Sequence, residues 1–157
     1  MTEPLYVSRA TLTTVADLHR RARIVTGVTL DLGVHGPIKE LFRLSPPREL
    51  PLPVDHVVAA VGGCMLGTLV GALEVRQVKL APGVLNAEVE GHHEMRGGLP
   101  VLASVRVRYR MKIPAGTREA VDRALARHQE KCPTAATLAG AVAVSWTAEI
   151  EEAGAVA

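Results

Sequence analysis

The chain has 157 residues, 48% hydrophobic and 22% charged, which is the make-up of one globular domain long enough to bury a real core. A formal net charge of +2 and 3% aromatics argue against a nucleic-acid binder, since neither a basic footprint nor a stacking platform is present. The opening MTEPLYVSRA has no charged segment followed by an apolar one, and the two distant cysteines make neither a zinc motif nor a Cys-x-x-Cys pair. A cytoplasmic protein is expected, with thiols that are reactive or inert rather than stapled.

Leu5 to Val15 is rich in β-branched residues and alternates in part, which predicts a strand. Residues 16–21 (ADLHRR) read as a polar turn. It carries the basic cluster His19, Arg20 and Arg21, whose plain reading is a solvated loop. Ala22 to Leu32 reads as one or two strands around Gly27. Gly33 to Pro53 holds HGP, SPP and LPLP, so a loop or short irregular segment is expected.

Val54 to Arg76 is the stretch around which the chain is organised. It is far too long for a strand and carries no charge between Val57 and Leu73, which predicts a helix with Pro53 in or just before its first turn. Four glycines interrupt it, Gly62, Gly63, Gly67 and Gly71. Each costs roughly 1 kcal/mol relative to alanine, so tertiary packing must compensate. Gly63, Gly67 and Gly71 line one flank, where another backbone could approach closely. Cys64 lies about 100° round the helix from that flank, in a groove of Val57, Ala60, Val61, Gly67, Thr68 and Gly71. A membrane span needs about 20 strongly apolar residues. This run is shorter, diluted by glycine and bracketed by Asp55 and Glu74, so a core helix with no membrane contact is expected. Taken alone, Cys64 would be an inert buried thiol.

Gln77 to Pro82 is a connector, and Val84 to Met95 alternates as a strand. Arg96-Gly97-Gly98 marks a hairpin. From Val101 to Ile113, Val105, Val107, Tyr109 and Met111 face one way, and Arg106, Arg108, Arg110 and Lys112 the other. That is a half-buried antiparallel strand with a basic outer face, which could bind anions but is more simply a solvated surface. Pro114-Ala115-Gly116 ends it, Thr117 is a candidate N-cap, and Thr117 to Glu130 is an amphipathic helix with Val121, Leu125 and His128 on one face. Cys132-Pro133-Thr134 starts a short helix reaching about Leu138, and Ala139 to Ile150 is the last strand. Adjacent His92 and His93 point to opposite faces of a strand and cannot share one metal. Neither a metal nor a bound cofactor is expected. The pattern of local hairpins implies an α+β fold in a single domain over 1–157, with N-terminal strands and loop in 1–52, the central helix in 53–76 and the remaining elements in 77–157.

Taken together, the two cysteine contexts are specific. The run from Pro53 through Asp55 and the aliphatic and alanine positions to Gly62-Gly63-Cys64 resembles the first-cysteine stretch of the OsmC/Ohr family. Those are the osmotically inducible protein C and organic hydroperoxide resistance proteins. Glu130-Lys131-Cys132-Pro133-Thr134, followed by Leu138, Gly140 and Val142, resembles the second-cysteine stretch and closing helix–strand unit. The resemblance covers about Pro53 to Glu151 well and the N-terminal third poorly. It implies antiparallel sheets wrapped around a long central helix in an intertwined homodimer. It also implies a thiol-dependent peroxidase, with Cys64 peroxidatic and Cys132 resolving. Organic hydroperoxides would be the substrates and an external dithiol the reductant.

In the hydroperoxide-resistance branch an arginine from an N-terminal hairpin, partnered by a glutamate near the helix start, activates the first cysteine. The usual glutamate position is Val54 here, and the acid is Asp55, one residue on. Arg20 and Arg21 are candidates for the arginine by topology alone. Local physics favours the other thiol. Cys64 lies about three turns into its helix among apolar neighbours, whereas Cys132 sits at a helix start where the dipole helps. A family-fold binding protein with vestigial chemistry is the alternative.

Overall fold

The computed structural model describes residues 3–154. They gather into two compact units, one ending at His56 and the other starting at Val57. In the first, β1 (Ala10–Ala16), β2 (His19–Ile24) and β3 (Thr29–Leu32) form an antiparallel sheet in that order. Residues 5–9, expected in the first strand, lie outside β1. The basic cluster is also not in the turn. Leu18 takes a left-handed φ of 57°, which tightens the hairpin to Asp17-Leu18 and puts the cluster in β2. There Arg20 lies opposite Thr14 and Arg21 opposite Thr13. The Pro-rich segment contains one short helix, α1 (Gly36–Leu41), with Pro37 in its first turn, where its missing N–H costs nothing.

The long helix α2 (Pro53–Val75) opens in the first unit and runs through the second. Asp55 accepts the Leu52 N–H at 2.7 Å while its own N–H bonds the Leu52 carbonyl at 3.0 Å, a reciprocal cap on the first turn. At the far end Gln77 turns left-handed (φ 58°), and the Val78 N–H closes on the Leu73 carbonyl at 3.0 Å, which stops the helix. Val61, Met65, Leu69 and Leu73, four apart, form its buried stripe. Burying each such side chain contributes about 1.5–3 kcal/mol. This helix is long and apolar enough to cross a membrane. Its stripe, however, is committed to the core of the second unit, as in the core helix of a soluble protein.

That core continues onto β5 (Leu99–Ile113), the middle strand of a second sheet ordered β4-β5-β6, with β4 at Leu85–Arg96 and β6 at Ala143–Glu152. Gly97 and Gly98, both at positive φ, make the two-residue turn between β4 and β5. The alternation of β5 is as its sequence predicts. Val105, Val107, Tyr109, Met111 and Ile113 are buried, and the four basic residues face out. Acidic rows flank them. Arg108 and Arg110 both reach Glu88, Arg110 also reaches Glu149, and Lys112 reaches Glu151. The basic stripe is therefore a set of exposed ion pairs, each contributing roughly 0–1 kcal/mol. His92 turns back toward Glu90 at 3.5 Å, and among the described residues no cluster of His, Cys, Asp and Glu could hold a metal.

The last strand, β6, joins β5 in parallel, which requires a crossover. The crossover consists of α3 (Arg118–His128), a 3-10 turn at Gln129–Lys131 and α4 (Pro133–Leu138). Thr117 does hold the N-cap position of α3, but its hydroxyl donates backward to the Pro114 carbonyl at 2.7 Å instead of capping. The helix buries Val121, Ala124, Leu125 and His128.

Two consequences can be measured. A Cβ on Gly62 would stand 2.2 Å from Cγ2 of Val89, so Gly62→Ala gains about 1 kcal/mol of helix propensity but meets overpacking of about 1–3 kcal/mol. Urea melts are expected to show net destabilisation. The second consequence concerns His128, which is fully buried. Its Nδ1 donates to the Leu125 carbonyl at 2.8 Å, and its Nε2 accepts the Tyr109 hydroxyl at 3.0 Å. Burial pushes its pKa down, only partly offset by the Leu125 carbonyl. The unfolded chain therefore binds a proton that the folded one refuses. This contribution is intact above about pH 6.5, the unfolded value, and is lost as pH falls below it, by at most about 1.4 kcal/mol per unit. Denaturant melts between pH 7 and 5 should show this slope, and His128→Gln should remove it.

Candidate active site

Cys64 sits near the middle of α2 with its side chain half-buried, and Cys132 is fully buried just before α4. Both are free thiols, and their sulfurs lie 3.0 Å apart, with the Cys132 S–H donating to Cys64. The crossover creates this proximity. The 3-10 turn ends with the Cys132 N–H on the Gln129 carbonyl at 3.1 Å, and Cys132 becomes the N-cap of a helix whose first residue is Pro133. The first turn of α4 then distributes its N–H groups. That of Ala136 bonds the Cys132 carbonyl at 3.0 Å, and that of Ala135 reaches the Cys132 sulfur at 3.5 Å.

These bonds set the acidity of the pair. Burial raises the Cys64 pKa, but hydrogen bonds from the Cys132 thiol, the Thr134 hydroxyl, the Thr134 N–H and the Thr68 hydroxyl outweigh it, and the net shift is downward. The Thr68 hydroxyl bonds the Cys64 carbonyl at 2.8 Å and has one proton to give, so it serves the thiolate only by leaving that carbonyl. For Cys132, burial and the neighbouring Cys64 push upward, and the Ala135 and Thr134 N–H groups do not compensate. This reverses the order that the local sequence favours. The helix start does give Cys132 a donor, the Ala135 N–H, but burial and the neighbouring Cys64 sulfur outweigh it.

The other sequence candidates have partners inside the N-terminal unit. Besides its capping bond, Asp55 meets Nε2 of His35 at 2.6 Å. Arg21 makes a two-pronged bond to Asp31, which also holds His19 at 2.9 Å. These partners hold the Asp31 carboxyl well below the usual carboxylate range. Arg20 donates to the Gly33 carbonyl at 3.2 Å. The pairing of His35 with Asp55 is not legible in the sequence, since the two lie twenty residues apart with no motif joining them.

A groove of about 460 Å³ begins one turn beyond Cys64, lined by Thr68, Ala72, Arg76, Arg127, His128 and Lys131. The larger apolar groove, about 740 Å³ between Leu66, Val70, Leu80 and Leu85, includes neither thiol.

The family model for the OsmC-like protein matches residues 47–147, a span that contains both cysteines. No curated protein matches by sequence. Among solved structures, an OsmC-like protein from Mycoplasma pneumoniae is 12% identical with a TM-score of 0.74, over 94% of this chain and 99% of that one. An organic hydroperoxide resistance protein from Elizabethkingia anophelis is 20% identical with a TM-score of 0.69, over 96% and 100%. An OsmC-like protein of unknown function from Vibrio cholerae is 12% identical with a TM-score of 0.72, over 92% and 100%. With a family match across most of the chain and the same fold in these distant structures, the chain belongs to the OsmC-like protein family.

Proposed function

We propose that the protein is a cytoplasmic thiol-dependent peroxidase that reduces organic hydroperoxides to alcohols. The observation that carries this reading is the pair of free thiols 3.0 Å apart, with Cys64 the more acidic partner and Cys132 held protonated beside it. The solved structures named as hydroperoxide resistance proteins support it.

The Cys64 thiolate attacks one oxygen of the O–O bond. An S–O bond forms, the O–O bond breaks, and the alkoxide leaves and takes up a proton to give the alcohol. Cys64 becomes a sulfenic acid. Cys132 then attacks that sulfur, its proton leaves with the displaced hydroxide as water, and a disulfide results. An external dithiol supplies two electrons to restore both thiols. No bound cofactor or metal is needed. Apolar surface around Cys64 favours bulky peroxides over hydrogen peroxide, by about 0.8 kcal/mol for each methylene buried.

We also propose that the protein works as a homodimer. Gly63, Gly67 and Gly71 have open space around them, while Val57, Val70 and Val75 on α2 and Leu12 and Val15 on β1 are exposed. Sedimentation is expected to give a stable dimer at micromolar concentration, with an interface above the standard ~1,600 Å². Gly67→Leu should weaken it, and a wild-type monomer would contradict it.

A second reading, a ligand-binding protein with vestigial chemistry, is favoured by Asp55, which is engaged as a helix cap and with His35. Stopped-flow mixing with an alkyl hydroperoxide separates the two. A peroxidase consumes one equivalent far faster than a free thiol does, Cys64→Ser abolishes the reaction, and Cys132→Ser reacts once and then over-oxidises. A rate at the free-thiol background, with tight binding of an apolar ligand that Cys64→Ser leaves unchanged, would select the second reading.

A further inference from the structure

The groove of about 460 Å³ has three cations in its lining, Arg76, Arg127 and Lys131, and no carboxylate. On the outer face of the second sheet, basic residues are met by acidic ones, and the larger apolar groove carries Glu74 alongside Lys79. Here the cations keep donors in hand. Arg76, half-buried at the end of α2, spends one N–H on the Ala72 carbonyl at 2.8 Å, which leaves four of the five that a guanidinium carries. The same bond holds the guanidinium against the helix end, so part of its freedom is already lost before any ligand arrives. Arg127 gives its Nε–H to Glu130 at 3.1 Å, and Glu130 stands outside the lining. Lys131 meets no acceptor among the described residues.

The rest of the wall is uncharged. Gly71, Ala72 and Val75 of α2 make an apolar strip, and His128 adds an imidazole whose two nitrogens are already engaged by Leu125 and Tyr109. We propose that this groove binds a soluble phosphate monoester, with the phosphate held by Arg76, Arg127 and Lys131 and the organic group lying on the apolar strip. The donor surplus selects phosphate over carboxylate. Three terminal oxygens and a charge of about −1.5 to −2 engage all three cations, whereas a carboxylate brings two oxygens and a single charge. The volume falls within the range of about 300–1,000 Å³ usual for small-molecule sites. Neither sulfur lines the groove, so the site goes beyond the peroxidase reading and does not require Cys64 to react. Gly71 and Val75 also border the flank of α2 proposed for the dimer, so the form to test is the full-length protein in solution.

The test is calorimetric titration of the reduced full-length protein with phenyl phosphate, above about pH 7, where the phosphate is mostly doubly charged. It uses no peroxide, so its outcome is separate from that of the peroxidase reading. A dissociation constant below about 1 mM is expected, with benzoate and inorganic phosphate each about tenfold weaker, the first for its single charge and the second for its missing apolar group. Lys131→Gln and Arg76→Gln should each weaken phenyl phosphate binding about tenfold, because hydrogen bonds to charged groups are the strong ones. Lys79→Gln, which removes an exposed cation outside the groove, should leave it unchanged. Thermal melts check the fold of each variant. Should Arg76→Gln unfold with the loss of its bond to Ala72, Lys131→Gln still decides, since the Lys131 side chain has no bond among the described residues to lose. No saturable binding up to about 10 mM overturns the proposal. So does benzoate binding as tightly as phenyl phosphate, or a Lys79→Gln loss equal to that of Lys131→Gln, which would assign the effect to general surface charge. Binding to vesicles that carry a phosphate-monoester lipid, without binding of the soluble probe, overturns it as well.

Discussion

The stripe of Val61, Met65, Leu69 and Leu73 on α2 shares one core cluster with Val105, Val107, Tyr109 and Met111 of β5, and the rest of the second unit depends on that packing. The packing fixes the rotation of the helix. Once the stripe is buried, Cys64, next to Met65, is carried to the margin of the core rather than its centre. The same sheet fixes the second thiol. Because β6 must return parallel to β5, the chain between them has to cross over, and the crossover places Cys132 at the start of α4 beside Cys64. The glycine at position 62 allows β4 to close on the helix through Val89. The 3.0 Å sulfur contact is therefore set by packing elsewhere, and the thiols do not have to hold the fold together.

Two buried polar devices sit in that core. Tyr109 and His128 satisfy each other and the Leu125 carbonyl, with the Trp146 ring 5.2 Å from the imidazole. The Tyr109 hydroxyl is strongly held in its neutral form, by burial first and by the nearby Cys132 second. The thiol pair is satisfied differently. It shares one S–H and draws on the first turn of α4. Among the described residues no buried side-chain nitrogen or oxygen is left without a partner. The difference lies in what happens on ionisation. The Tyr–His pair loses its hydrogen bond, whereas the thiol pair strengthens its own, since a thiolate is a better acceptor than a thiol. Only the second arrangement suits a group that must ionise to act.

Legibility in the sequence followed burial. The strand β5 could be read residue by residue because its two faces differ completely, one buried and one charged. The helix α2 was legible from its length and lack of charge. By contrast, β1 is exposed at every position, so no burial period marks its ends, and the tight turn at Leu18 carries no glycine to announce it. That is why the arginines, expected in a loop, lie in a strand. The parallel entry of β6 depends on a crossover, which leaves no local pattern. The approach of the two cysteines was implied by the family resemblance and not by the residues themselves. The acidity order differs from the one local physics favours because the burial of Cys132 and the S–H it donates to Cys64 both depend on tertiary packing.

The central claim is that Cys64 and Cys132 form one redox unit with Cys64 as the attacking thiol. The most direct measurement treats the reduced protein with one equivalent of an alkyl hydroperoxide, then weighs the intact chain and maps its peptides. The account predicts a protein two hydrogens lighter, with the Cys64 and Cys132 peptides joined by a disulfide. A sulfenic acid at Cys132 with Cys64 unmodified, or a chain left reduced, would contradict it.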